Sequence, residues 1–146
     1  FPMNIIRPSN AYCPGQLLHR VIPKTIWCGL TNNTLPLQGG GRAEKSYIHA
    51  RDLARAIFMV SNSAKLGEIY NVGTGFRISN LQIAKFICSG LSISENRISF
   101  VEDRLGHDFR YALDSKKIYN DLGFAPRFNF FEGLTDTLNW YRKSFI

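Results

Sequence analysis

Along the chain, short apolar runs alternate with stretches whose apolar positions recur every three or four residues, and each change of period marks an element. "MNIIR" reads as a strand ended by Pro8, and "SNAYCPGQ" as a polar turn broken by Pro14 and Gly15. Leu17 to Leu30 reads as a helix bent near Pro23, followed by a loop at "NNT" and a short strand, "LPLQ". The "GGG" at 39–41 reads as a hairpin turn into the strand "KSYIH". Asp52 opens a helix, "DLARAIFMVS", where its carboxylate suits the positive end of the dipole. "EIYNVG" is the next strand, closed by "GTG".

The second half repeats the style. Ser79 or Asn80 can cap a helix with Leu81, Ala84, Ile87, Cys88 and Leu91 on one face and Gln82, Lys85 and Ser89 toward water. "ISFVE" is a strand. Ser115 caps a short helix that Gly123 ends, and Pro126 prevents its resumption. The last helix starts near Phe130 and places Phe131, Leu134, Leu138, Tyr141 and Phe145 at three- and four-residue spacing, with Arg142 and Lys143 at its negative end. Strands and helices alternate throughout, so the fold class is α/β.

Composition narrows the function. At 146 residues, with 45% hydrophobic and 20% charged residues, the chain suits one folded domain. No run approaches the roughly 18 apolar residues of a membrane span, and the opening residues carry no secretory pattern, so the expected location is cytoplasmic. Cys13, Cys28 and Cys88 are far apart, and His19, His49 and His107 are scattered, so a disulfide framework and a metal site are not expected. A net charge of +7 admits nucleic acid, an anionic membrane or a phosphorylated small molecule. The basic residues are dispersed and show no nucleic-acid motif, which favours a pocket for a small anion.

The densest charge lies in "DRLGHDFRYALD", 103–114, where Arg104, His107 and Arg110 stand among three carboxylates and Gly106 turns the chain before His107. That spacing suits a loop that holds an anion, with Arg110 and Asp114 as a stiffening ion pair. "GGGRAEKS" is not a phosphate loop, because Ala43 and Glu44 separate the glycines from Lys45. "GTG" is too short for a dinucleotide fingerprint. No nucleophile or acid–base motif stands out, so no catalytic residue is assigned.

Four ordered motifs, "RPSNAYCPGQ", "LPLQGGGRAEKSYIHARDLARAI", "EIYNVGTG" and "DRLGHDFRYALDSKKIYNDLGFAP", resemble nucleotide-sugar dehydratases and epimerases of the extended short-chain dehydrogenase family. The "DR-x-GHD-x-RY-x-x-D" form is most similar to that of the 4,6-dehydratases, with UDP-sugar 4-epimerases or decarboxylases and a non-catalytic remnant as alternatives. The resemblance implies the C-terminal, substrate-binding portion of a Rossmann-type enzyme. Residues 1–8 and about 46–62 would pack on an NAD-binding part that the resemblance places upstream. It also implies NAD as the complete enzyme's cofactor, with none bound by this chain alone. The complete reaction would oxidise the sugar at C4, eliminate water across C5 and C6, and return the hydride to C6.

For substrate, the resemblance implies a nucleotide-diphosphate sugar. Asn10 would meet it near the sugar, Arg20 and Asn71 near the diphosphate, and Leu35, Leu37 and Gln38 along the pyrimidine. Lys45 stands where dehydratases usually place an Arg, keeping the charge and losing the planar fork. Arg104 and His107 would close over phosphates and ribose. Each has a plain structural alternative: a turn amide, a solvated charge, a core-edge strand or a local ion pair. Cys13 replaces the Gly of the family's "YGP", a strained substitution if the position needs positive φ. The aromatic residues of the last helix are expected in the core, and self-association is expected to hide the uncovered apolar surfaces.

Overall fold

The computed structural model describes residues 2–103, 105–106 and 110–145. Its elements run β1 (Ile5–Pro8), β2 (Asn10–Tyr12), α1 (Val21–Leu30), β3 (Leu35–Gln38), β4 (Glu44–His49), α2 (Ala50–Ser63) and β5 (Ile69–Val72). Then follow β6 (Arg77–Ser79), α3 (Asn80–Leu91), β7 (Ile98–Val101), β8 (Arg110–Tyr111), α4 (Lys116–Leu122) and α5 (Phe130–Phe145). The architecture is α/β, as the alternation of periods requires.

Three small sheets carry the chain. β1 pairs with β5 in parallel, Ile5 opposite Ile69. β3 pairs with β7 in parallel, Leu35 opposite Ile98. β4 is the hub: its end at Tyr47–His49 pairs with β2 in parallel, and its start pairs with β6 antiparallel and with β8 in parallel. Side chains alternate across a strand, so β4 feeds two cores. Tyr47 joins a cluster with Ile22 and Ile26 of α1, Ile83 and Ile87 of α3, and Leu134 and Leu138 of α5. Ile48 joins a second with Ala56 and Val60 of α2, Ile118 of α4, and Tyr70 and Val72 of β5. Burying each aliphatic side chain of this size contributes about 1.5–3 kcal/mol.

Several local expectations change. The "GGG" is no hairpin: Gly39–Gly41 form a 3-10 turn between β3 and β4, which lie in different sheets. All three glycines have positive φ, and a Cβ on Gly41 would sit 3.0 Å from both Leu37 and Leu81 side chains. α1 starts at Val21, so Pro23 falls in the first turn, where its missing N–H has no partner to lose and no bend is needed. β4 runs to His49, and the His49 imidazole caps α2 by accepting from the Arg51 N–H at 3.3 Å. Asp52 is in that first turn but is 1% exposed, serving packing as well as the dipole.

Ser79 caps α3 as read, in a full capping box with Gln82. Ser115 stands at the N-cap of α4 without a side-chain cap bond, and Asp114 Oδ1 accepts from the Lys116 N–H; the expected Arg110–Asp114 ion pair is not formed. Gly123 ends α4 in the left-handed conformation at φ 66°. In α5, Phe130, Leu134, Leu138 and Tyr141 are buried, whereas Phe131 and Phe145 are 39% and 47% exposed. Cys13 is not among the residues at positive φ, so the strain considered for it is absent.

Candidate functional site

Two regions meet at β4. At its start, Lys45 lies opposite Ile78 of β6 and Tyr111 of β8. β8 carries Arg110 alongside Glu44, which delivers one end of the charged stretch to this strand. The other end, Asp103, follows β7, and its carboxylate fills the space that a side chain on Gly39 would need. Both described ends of the stretch therefore flank Gln38, Gly39 and Lys45. Arg104 and His107, assigned from sequence to the anion site, lie outside the described residues.

The remaining sequence-assigned residues separate into groups. Leu35 and Leu37 point into the core at 1% and 2% exposure, so β3 presents outward its backbone, the half-buried Pro36 and the exposed Gln38 side chain. Asn10 Nδ2 donates to the Ser46 carbonyl at 3.2 Å and ties β2 to β4 beside Lys45. Arg20 is exposed at the N-cap of α1. Asn71 is on β5 opposite Arg7, in a different sheet from Lys45.

One residue escaped sequence reading. Asn80 opens α3, donates its backbone N–H to the Ala43 carbonyl at 3.2 Å, and holds a buried Oδ1 with no partner among the described residues. Its neighbour Ser79 pairs with Glu44, which puts Asn80 beside the strand that carries Lys45. An unsatisfied buried amide oxygen costs about 1–3 kcal/mol unless something pairs with it, and rotating the amide offers two donors to the same space. Lys45 and the Asn80 amide thus lie on neighbouring elements at the start of α3, whose first turn is already closed by the Ser79–Gln82 capping box. In sequence, Asn80 was indistinguishable from a helix cap.

At the other end of β4 lies a cleft of about 320 Å³ walled by aromatic rings, among them Tyr12, Tyr47, Phe76 and Phe130. A second, of about 400 Å³, is lined by Cys13, Pro14, Arg51 and Asp136, with His49 shared between the two. None of Asn10, Arg20, Leu37, Gln38, Lys45 and Asn71 lines either one. The His49 ring stacks on Phe128 at 4.1 Å, and burial, then Arg51, holds its pKa below the ordinary value against the opposing pull of Asp52 and Asp136. Burial, with Asp52 and Asp136, pushes the Tyr12 hydroxyl pKa up, and that hydroxyl donates to the Phe130 carbonyl at 3.1 Å.

Buried Asp52 fixes the wall of the aromatic cleft. Its Oδ2 accepts from the backbone N–H groups of Arg127 and Phe128 at 2.9 and 3.0 Å, and its Oδ1 pairs with Arg55 at 3.0 Å. Arg55 also donates to the Ala125 carbonyl, so one ion pair straps the loop between α4 and α5 to α2.

No group of three or more His, Cys, Asp or Glu able to hold a metal ion occurs among the described residues. In the same residues no helix is long and apolar enough to cross a membrane. The Gly73–Thr74–Gly75 turn leads from β5 into strand β6, so this turn presents no helix N-terminus to a pyrophosphate.

The family described as GDP-mannose 4,6 dehydratase matches residues 1–137. A dTDP-glucose 4,6-dehydratase of Actinoplanes is 36% identical over 140 residues, covering 96% of this chain and 44% of that protein. The dTDP-D-glucose 4,6-dehydratase of Bos taurus is 38% identical, covering 99% and 42%. The crystal structure of a dTDP-glucose 4,6-dehydratase from Streptomyces venezuelae, with NAD and TYD bound, is 36% identical with a TM-score of 0.93, covering 96% of this chain and 44% of that one. The chain thus spans less than half the length of the relatives it matches, and corresponds to their C-terminal portion.

Proposed function

The chain belongs to the GDP-mannose 4,6 dehydratase family, and on that premise we propose that it is the nucleotide-sugar-binding portion of a dTDP-glucose 4,6-dehydratase. The observation that carries the reading is the meeting of Gln38, Lys45 and Asn80 with the two ends of the charged stretch. Lys45 and Asn80 would hold the diphosphate, with Arg104 and His107 closing over it from the stretch itself. The edge of β3 at Gln38 would read the pyrimidine through backbone groups, and Asn10 would approach the sugar. Arg20, free in solvent at the start of α1, would add a long-range attraction. Asn71 is better suited to the other sheet, where it pairs with β1.

The family resemblance assigns the oxidation and elimination to motifs other than the four found here, so the isolated chain is expected to bind and not to turn over. β1 and the segment 46–62 would pack on a cofactor domain. Support comes from the β1–β5 ribbon, where Ile5 and Ile69 share one face at 40% and 39% exposure. Self-association through that face is the expected behaviour of the chain alone.

Titration calorimetry with dTDP and UDP tests the binding claim. Saturable binding that falls about tenfold or more in Lys45→Ala and in Arg104→Ala is expected, from the roughly 1.5–3 kcal/mol of a charge-assisted hydrogen bond. Binding indifferent to both substitutions would remove the anion site from this surface. Release of a 4-keto-6-deoxy product by the chain with added NAD would overturn the expected lack of turnover.

A further inference from the structure

The aromatic cleft at the far end of β4 shares no residue with the nucleotide-sugar site proposed above, although its Tyr47 and His49 belong to the segment 46–62 that would face a cofactor domain. We propose that the cleft binds an uncharged planar ring carrying a hydrogen-bond acceptor.

The walls are held from several sides. Asp52 fixes the backbone at Arg127 and Phe128. Thr74 Oγ1 donates to the Tyr47 carbonyl at 3.0 Å and accepts from the Phe76 N–H at 3.2 Å, which sets Phe76 at the mouth. Asn129 Oδ1 accepts from the Phe131 N–H at 2.9 Å. The rings of Phe76 and Phe130 lie 5.5 Å apart at 32°, and Tyr47 meets Phe130 at 5.4 Å. A space of about 320 Å³ between such surfaces suits one flat ring system.

The polar groups choose among rings. Tyr47 is 5% exposed and lines the cleft, and its hydroxyl has no hydrogen-bond partner among the described residues. His49 spends Nδ1 on accepting from the Arg51 N–H, so the neutral imidazole carries its proton on Nε2, a donor with no partner among the described residues. The Asn129 side chain uses its oxygen and keeps its two N–H groups. Three residues that line the cleft therefore carry a donor to spare, and its aromatic rings supply no acceptor of comparable strength.

Charge is excluded from both directions. Among the described residues no Lys or Arg lines the cleft to hold an anion, and the nearby Asp52 and Asp136 carboxylates oppose one. A cation would meet Arg51, whose guanidinium already lies 6.0 Å from the centre of the Phe128 ring.

Benzamide is the probe, with benzoate and tetramethylammonium as charged counterparts, each titrated into the chain and followed by amide chemical shifts. Saturable shifts at Thr74, Phe76 and Asn129 with benzamide, at a dissociation constant of about a millimolar or tighter, are expected. Tyr47→Phe should weaken benzamide about tenfold and leave the melting temperature unchanged, because the hydroxyl gives up no bond within the protein. Phe76→Ala, at the exposed mouth, should weaken it at least as much. The proposal is overturned by an absence of saturable shifts at these residues, by equal or tighter binding of either charged probe, or by Tyr47→Phe binding benzamide as well as the original chain. Loss of folding in Tyr47→Phe also overturns it, since that would give the hydroxyl a structural partner.

Discussion

The two hydrophobic clusters grow from opposite faces of one strand and are closed in different ways. The Tyr47 cluster is wrapped by α1, α3 and α5, and Ile26, Ile83, Ile87 and Leu134 have no exposed surface. The Ile48 cluster is covered by α2 and α4 on one side of the β1–β5 ribbon, where Tyr70 and Val72 are 1% and 0% exposed, while Ile5 and Ile69 face out on the other. A lone pair of strands is marginal in water, so the ribbon depends on its single packed face. The difference separates what makes this chain fold from what it offers to other surfaces.

Four measurements would break or sharpen that contrast. Leu134→Ala, in the closed cluster, should cost about 2–5 kcal/mol in denaturant unfolding, whereas Ile69→Ala on the open face should cost under about 1. Equal costs would mean that the ribbon's outer face is covered in solution. Asp52→Ala should come next, at about 3 kcal/mol, because it leaves the Arg127 and Phe128 N–H groups and the Arg55 guanidinium without their shared acceptor. Urea melts, with Asp52→Asn as the milder variant, check it.

The third measurement is a pH series. His49 has a folded pKa below its ordinary value of 6.5, so below about that pH the unfolded chain takes up a proton the folded chain resists. Stability should be full above that pH and decline as it falls through the folded pKa, and His49→Gln should flatten this part of the profile. An unchanged profile would detach His49 from the acid limb. The smallest effect is expected from Ile69→Lys, which should move unfolding by no more than about 0.5 kcal/mol while shifting any oligomer toward monomer on sizing.

Most elements were legible because their periods were clean: α5, the Ser79 capping box and the Gly123 stop each carry a local signal. The errors share a cause, which is that pairing is not local. Nothing near the three glycines announces that β3 pairs with β7 rather than with β4. Leu17 and Leu18 continue the spacing of α1, but at 70% and 39% exposure they lie outside it. Around the site, Lys45 and the charged stretch were visible as chemistry, whereas Asn80 looked like a cap and Asn71 went to another sheet. The aromatic cleft was hidden because Tyr12, Tyr47, Phe76 and Phe130 are scattered in sequence and meet only through the fold.

The parallel ladders also set the order in which this chain can assemble. Ile5 must find Ile69, Leu35 must find Ile98, and Glu44 must find Arg110 before any of the three pairings exists. Contacts so distant along the chain slow folding, because loop closure is lost entropy until the far strand arrives. On a ribosome, β1 emerges long before its partner and waits with an apolar edge open. The interval between the emergence of β1 and that of β5 is therefore when this chain most needs a chaperone.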